Sequence, residues 1–414
     1  MSDQHDSFLD TLPEGWVFDR LKDVVTLRNE KTDEASADED YLELEDLESG
    51  TGRILNRRNT LEVESAVTLF RKDDVLFGKL RPYLEKYYQA EFDGRCTGEI
   101  LAFKPERMAS RFLFYCFGSR WLIERCNALA YGAKMPRVSW EKQLSQFNVP
   151  LPPRVEQQRI AAYLDASCAA IDAAAAAKRC QLETLDALGT TTVYETVTRG
   201  INPNTVTTVQ RIPSYERTPE HWKRSKLRYE ISIQNGDFAS DKLQDDGAHP
   251  IPGGNGVMGH TDLWNVDGET IVIGRVGAYC GNAHYVRGKA WVSDNALIVK
   301  SRHHARFLCH LFNALNFNSQ ANNTAQPVIT GTKIKNTYVV LPPFDEQEAI
   351  CAVVDAKLAE VKRIATHIET QIATLTAYRK SLIHECVTGQ RRITEADLAV
   401  AKRVEAAPVA EHQS

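Results

Sequence analysis

Leu151-Pro-Pro-Arg-Val-Glu-Gln-Gln-Arg-Ile160 returns 190 positions later (341 − 151) as Leu341-Pro-Pro-Phe-Asp-Glu-Gln-Glu-Ala-Ile350. The offset holds without a gap through Asp165/Asp355, Leu185/Leu375 and Glu195-Thr-Val-Thr198/Glu385-Cys-Val-Thr388. Each copy reads as a strand end, a double-proline corner and a long helix. Prolines fix φ and lack an amide donor, which suits the entry to a helix and not its interior. Asp345 followed by Glu348 has capping-box spacing, and the acids of both first turns favour the positive end of a helix dipole.

Past the second corner, Val354, Leu358, Val361, Ala365, Ile368, Ile372 and Leu375 alternate steps of four and three, the period of a coiled-coil seam. Subtracting 190 gives Leu164, Cys168, Ile171, Ala175, Lys178, Leu182 and Leu185, the same seam with one charged defect after the Ala173 to Ala177 run. From Pro153 to Thr198 is 45 residues (198 − 153), so each helix reaches ~67 Å at 1.5 Å per residue. That length describes a spacer rather than an ordinary core helix.

The repeat extends upstream. Leu12-Pro-Glu-Gly-Trp16 with Leu21 matches Thr218-Pro-Glu-His-Trp222 with Leu227 at an offset of 206 (218 − 12), so the whole chain is a tandem duplication. Between these ends, Asp74-Val-Leu-Phe-Gly-Lys-Leu-Arg-Pro-Tyr83 aligns with Thr270-Ile-Val-Ile-Gly-Arg-Val-Gly-Ala-Tyr279 at an offset of 196 (270 − 74). Each is an apolar strand running into a glycine, a cation and a tyrosine. Glycine permits close backbone approach, Lys and Arg offer charge-assisted bonds to phosphate, Arg can grip guanine with two bonds, and tyrosine adds a stacking face. A second strand follows in each half, Thr97 to Phe103 and Ser293 to Val299. Helical segments Arg111 to Leu129 and Arg306 to Asn316 then supply core aromatics, and a polar, proline-containing loop leads into the Leu-Pro-Pro corner. Those loops hold Lys134, Arg137 and Ser139 in one half, and Asn322, Asn323, Thr324, Gln326, Thr330 and Lys333 in the other. On chemistry alone, the nucleic-acid candidates are Lys79, Arg81, Lys134, Arg137, Arg275, Tyr279, Asn282 and Lys333.

Composition bounds the rest. The 414 residues suit two domains plus helices, with 43% hydrophobic and 25% charged residues. Met1 to Asp10 is polar, and no run of about 18 apolar residues is evident. Neither a signal peptide nor a membrane partner is therefore expected, and the location expected is cytoplasmic. Nine scattered cysteines without Cys-x-x-Cys or zinc spacing read as reduced and structural, with no metal site. The formal charge of −5 hides a local excess: Val206 to Val340 holds 15 Lys and Arg against 11 Asp and Glu. Asp33 to Glu48 is acidic and reads as a solvated face that repels phosphate, followed by a basic Arg53 to Arg58 segment.

Catalytic frames are missing. Gly254, Gly256 and Gly259 formally spell Gly-x-Gly-x-x-Gly, but prolines precede them instead of a strand, so a dinucleotide site is discounted. Gly331-Thr-Lys333 lacks the glycine-rich lead of a phosphate loop. Leu341-Pro-Pro-Phe344 misses the Asn or Asp with which amino-methyltransferases accept the target amine. No catalytic residue is assigned, and the chain reads as a reader rather than a catalyst.

Two divergent halves, each opening with Pro-Glu-x-Trp and closing with Leu-Pro-Pro-x-x-Glu-Gln-x-x-Ile before a long helix, closely resemble the specificity subunit of type I restriction-modification systems. The resemblance covers Leu12 to Thr388. It implies a mixed α/β (α+β) fold with two target-recognition domains, separated by two long antiparallel coiled-coil helices. The expected boundaries are 12–152 for the first recognition domain and 153–200 for the first spacer helix. The second domain is expected at 206–342, its spacer at 343–390 and a C-terminal tail at 391–414. The resemblance further implies a reader of a bipartite, asymmetric site in double-stranded DNA that docks two modification (methyltransferase) subunits and restriction (translocase and endonuclease) subunits. The chain itself then needs no cofactor, since S-adenosylmethionine and ATP with Mg belong to the partners. Pro152, Pro153, Glu156 and Gln157, with Pro342, Pro343, Glu346 and Gln347, are the corner motifs, structural and near the partner. The alternatives from other classes are a coiled-coil scaffold and a single-chain nucleic-acid enzyme.

Overall fold

The computed structural model describes residues 12–32, 40–58, 67–212, 214–239, 243–244, 246–322 and 327–406. Part of the acidic run (33–39), together with Asn323, Thr324 and Gln326, lies outside the described residues. The chain forms two compact units, Met1–Arg179 with Glu369–Ser414, and Cys180–Ile368. Each unit therefore contains one globular body, the first part of one spacer helix and the last part of the other.

In the first unit an antiparallel sheet is ordered Val25–Leu27, Ile100–Pro105, Val75–Gly78, Tyr87–Gln89. In the second unit the order is Ile231–Asn235, Ala296–Ser301, Glu269–Gly274, Ala283–Arg287. Their registers coincide. Val75 faces Phe103 and Gln89, while Ile271 faces Val299 and Tyr285, all displaced by 196. Val25 faces Pro105 and Ile231 faces Ser301, displaced by 206 and 196. A two-stranded ladder closes each body: Val17 pairs with Leu151 in one, and Lys223 pairs with Leu341 in the other. Since a one-residue slip would turn every side chain to the opposite face, matched registers mean that the same core positions are filled twice. One helix packs on each sheet, Ser110–Phe117 and Ala305–Ala314. In the first unit Phe117 stacks between Phe77 and Phe103 at centroid distances of 4.8 and 5.1 Å.

The bodies part company between the matched strands. The first unit inserts a small sheet ordered Lys31–Thr32, Val67–Phe70, Gly94–Cys96, Asp40–Leu42, with its own core around Leu42, Leu47, Phe70 and Cys96. The second inserts a hairpin, His249–Gly253 with Gly256–Thr261. The solvated-face reading of the acidic run fails at its centre. Asp46 is fully buried, its carboxylate accepting from Arg58 Nε at 2.7 Å and from the Glu43 backbone N–H at 2.8 Å. Arg58 also reaches Glu43 at 2.8 Å, so much of the charge in the two runs is neutralised internally.

The spacer helices run Arg154–Arg199 and Phe344–Val387. Within the first unit they are antiparallel: Leu164, Cys168, Leu382 and Cys386 join one core, and Asp172 lies 3.2 Å from Arg379. Within the second unit a Cβ at Gly189 would lie 3.5 Å from Val361, and Val193 and Val197 pack with Ile350 and Val354. The seam is well buried at Leu164, Cys168, Ala175, Val354 and Ile368, but Leu358 is exposed. A 3.5-residue repeat drifts around a straight 3.6-residue helix, which carries such a position off the packed stripe.

Beyond Gly389 the sequence carries a short helical pattern before the Ala- and Pro-containing end. Glu395–Ala406 is helical, with Ile393 and Ala401 buried in the first unit's core. By length and composition the helix Arg154–Arg199 is apolar enough to cross a bilayer, with a mean hydropathy of 1.3 in its most apolar window. Alanines cause this, and the same stretch carries Asp165 and Asp172, which pair with Arg111 and Arg379. Eight of the nine cysteines are buried and Cys180 is exposed.

Candidate nucleic-acid interface

The corner glutamines fix each body to its spacer. Gln157 Nε2 donates to Pro152 O at 2.9 Å while its Oε1 accepts from Ala109 N–H at 2.6 Å. Gln347 repeats this with Pro342 O at 2.9 Å and His304 N–H at 3.0 Å. Ala109 and His304 are the N-caps of the helices on the two sheets, so one buried amide satisfies an orphan helix donor and a corner carbonyl together. The glutamates behave differently. Glu346 accepts from Trp222 Nε1 at 3.2 Å and pairs with His221 at 2.8 Å, whereas Glu156 lies 3.0 Å from Arg392 Nε. All eight corner residues thus sit at the joint between body and helix.

Past Gly78, Lys79 is clamped on both sides. Its N–H donates to Glu99 O and its carbonyl accepts from Val138 N–H, both at 3.0 Å. Leu80 bridges Arg137, and Arg81, in the left-handed region at φ 51°, donates its N–H to Pro136 O at 2.7 Å. Tyr131 and Arg137 pair through both backbone bonds, so Lys134 stands exposed at the tip of a closed loop with Tyr131 and Met135. Lys79, Arg81, Lys134 and Arg137 therefore meet at one end of the first sheet. Arg137 is committed to Glu99, with Nε–Oε2 at 3.1 Å and Nη2–Oε1 at 3.2 Å, and this pairing raises its pKa.

In the second unit Arg275 N–H donates to Asn295 O at 2.9 Å and its carbonyl accepts from Ile329 N–H at 3.0 Å. Val276 bridges Val328 as Leu80 bridges Arg137, so the strand end is built alike in both units. The loop returns to Asn282, whose carbonyl accepts from Gly274 N–H at 2.9 Å, and leaves Tyr279 half exposed. Asn318 pins that loop by donating to Ala278 O at 2.8 Å and Cys280 O at 2.9 Å. Gly281 is required there: its φ is +85°, and a Cβ would sit 2.5 Å from Asn318 N. Arg275, Tyr279 and Asn282 share this loop. Lys333 follows on the helix Gly331–Asn336, its ammonium bonded to Gln320 O.

The sequence reading missed Glu99 and Asn318, which hold the loops, because both act on partners about 40 residues away in sequence. It also missed the exposed Tyr131 and Met135. The Gly-x-Gly-x-x-Gly stretch is a hairpin turn and not a strand-to-helix turn, which removes the dinucleotide reading on geometry. Among the described residues, no cluster of three His, Cys, Asp or Glu is placed to hold a metal.

The geometry defines a duplicated scaffold that carries two loop-built, cation-bearing sheet ends on long helices. Residues 13–184 and 219–374 match the type I restriction modification DNA specificity domain, 328 of 414 residues (172 + 156), and the chain belongs to that family. It is 26% identical over 164 residues to the EcoprrI type I restriction enzyme specificity subunit of Escherichia coli, covering 36% of this chain and 41% of that protein. It is 27% identical over 157 residues to the EcoDI specificity subunit of Escherichia coli, covering 37% and 34%. The matched regions thus span well under half of either relative. A chain solved in work on complex assembly and conformational transition of the type I R-M system superposes with a TM-score of 0.73 at 18% identity, covering 92% of this chain and 100% of that one. The HsdS subunit from Thermoanaerobacter tengcongensis gives 0.51 at 18% identity, covering 92% and 98%. At this identity the superpositions establish the fold.

Proposed function

We propose that the chain is the DNA-recognition subunit of a type I restriction-modification complex. Each body reads one half of a bipartite asymmetric site, and the spacer helices dock two modification subunits and, through the assembly, restriction subunits. The observation that carries this reading is the register-matched duplication that ends, in both units, in a glycine, a cation and a tyrosine on the same strand end. Phosphate contacts from Lys79, Lys134 and Lys333 position the duplex, while Arg81, Arg275, Tyr279 and Asn282 face base edges. The chain performs no chemistry in this scheme. S-adenosylmethionine and ATP with Mg act on the partner subunits, the complex works in the cytoplasm, and the domain boundaries are those given from the sequence.

The test maps methylation genome-wide in cells that carry the modification subunit with and without this chain. The expected result is a split motif with a fixed gap that depends on the chain, and exchange of residues 12–150 changes one half alone. Co-purification without any motif favours the scaffold reading. Methylation or cleavage by the isolated chain favours the enzyme reading.

A further inference from the structure

Among the described residues, the hairpin inserted in the second unit has no counterpart in the first. Its inner strand, His249–Gly253, is anchored: Ile251 is fully buried, Pro250 O accepts from Trp291 N–H at 3.0 Å, and His284 Nε2 lies 3.0 Å from Gly254 O. The tip lies against the cation-bearing strand end, since a Cβ on Gly274 would stand 2.6 Å from Gly254 Cα and 2.7 Å from Tyr279 O. Backbone here approaches backbone, and Arg275 follows directly.

The outer strand, Gly256–Thr261, does the opposite. Consecutive residues of a strand point to opposite faces, yet Val257 and Met258 are 58% and 50% exposed. The outer strand is therefore open on both faces at Val257 and Met258, while Gly259 packs on Leu243 and His260 O accepts from Gln244 N–H at 2.9 Å. Gly253 pairs with Gly256 across a two-residue turn that leaves Asn255 exposed at the tip. At the base, Lys289 Nζ sits 3.6 Å from the centroid of Trp264, whose ring contacts His249 edge-on. A two-stranded ribbon with an exposed amide at its turn, bare apolar side chains on its outer strand and cations beside it fits one occupant. The major groove admits such a ribbon, Asn bonds adenine through two atoms, and apolar side chains meet thymine methyls.

We infer that the hairpin His249–Thr261 enters the major groove at the half-site read by the second unit, with Asn255 reading a base edge and Val257 and Met258 against base methyls. This rests on the DNA-recognition reading above, and it makes the two half-sites read by different elements: a ribbon beside the Arg275 loop in one unit, loops alone in the other.

Methylation is mapped in cells that carry the modification subunit with the unaltered chain, Asn255→Ala or Val257→Ala. Asn255 is exposed and outside the positive-φ region, so alanine is compatible with the turn. Discrimination is expected to fall about ten- to a hundred-fold at one or two adjacent positions of the second half-site, the first half being unchanged. An unaltered motif in both variants overturns the inference and leaves the recognition reading standing. Relaxation in the first half, or no chain-dependent split motif with the unaltered chain, overturns both.

Discussion

Replacing Gln157 by alanine tests whether the corner is held by one buried amide. The side chain is 1% exposed and joins Pro152 O to the N–H of Ala109, whose own side chain offers no cap. Alanine leaves a buried carbonyl and a buried helix donor without partners, at about 1–3 kcal/mol each, so about 2–6 kcal/mol together. For a unit of 225 residues (179 + 46), each kcal/mol lowers the midpoint by about 2–4 °C. The expected loss is about 4–24 °C by calorimetry on the full chain. Hydrogen exchange locates it: amides from Ala109 to Leu113 lose protection while those from His304 to Leu308 keep theirs. Gln347→Ala reverses the pattern, with a larger effect because Gln347 Nε2 also lies 3.0 Å from His303 Nδ1. A midpoint shift under about 2 °C with unchanged protection around Ala109 refutes the reasoning.

Acid should weaken the second unit first. Burial alone would raise the Glu230 carboxyl, but hydrogen bonds from His303, Ser225 and Arg302 outweigh it and hold the group at about 2 against an ordinary 4.5. A lowered folded pKa stabilises above the unfolded value. About 3 kcal/mol is therefore lost as pH falls from about 5 to 2, and Glu230→Gln removes that dependence in acid titrations followed by circular dichroism. The first unit carries the buried Val24 at the equivalent position (24 + 206 = 230) and lacks this term. Arg379, 8% exposed, donates to Gly50 O at 3.1 Å and faces Asp172, so Arg379→Met should cost about 3–5 kcal/mol by urea unfolding. No loss of stability from Asp172→Asn alone would contradict the pairing. Lys134→Ala should weaken DNA binding by the complex uniformly across sequences and reduce the salt slope by about one, whereas Arg275→Ala should cost about 1–3 kcal/mol at the second half-site only. Equal loss at both halves from Arg275→Ala would count against the assignment of units.

The offsets of 190, 196 and 206 were legible in the sequence, and they reappear as registers. Val17 with Leu151 and Lys223 with Leu341 are the same pair twice, because duplicated hydrophobic patterns demand the same pairing. The double prolines marked both helix starts to within a residue or two. What stayed hidden depends on partners distant in sequence. Asp46 looked solvated until Arg58 folded over it, and no local pattern tied Gln157 to Ala109. The ribbon in one body and the small sheet in the other arise where the halves no longer resemble each other, so neither half informs the other. Equivalent helix positions also diverged: Gly189 packs on Val361, while its counterpart Arg379 (189 + 190) is a buried ion-pair partner.

The first unit is built from segments that lie on both sides of the second in sequence. Trp16 and Pro13 rest on Gly389, where a Cβ would stand 2.6 Å from Pro13, and Leu382, Cys386, Ile393 and Ala401 complete the core begun by Trp16 and Leu21. During translation those residues are made after everything between Cys180 and Ile368. The unit made second can close first, and the one made first waits with its apolar face open. Order of synthesis and order of completion are therefore inverted between the two units.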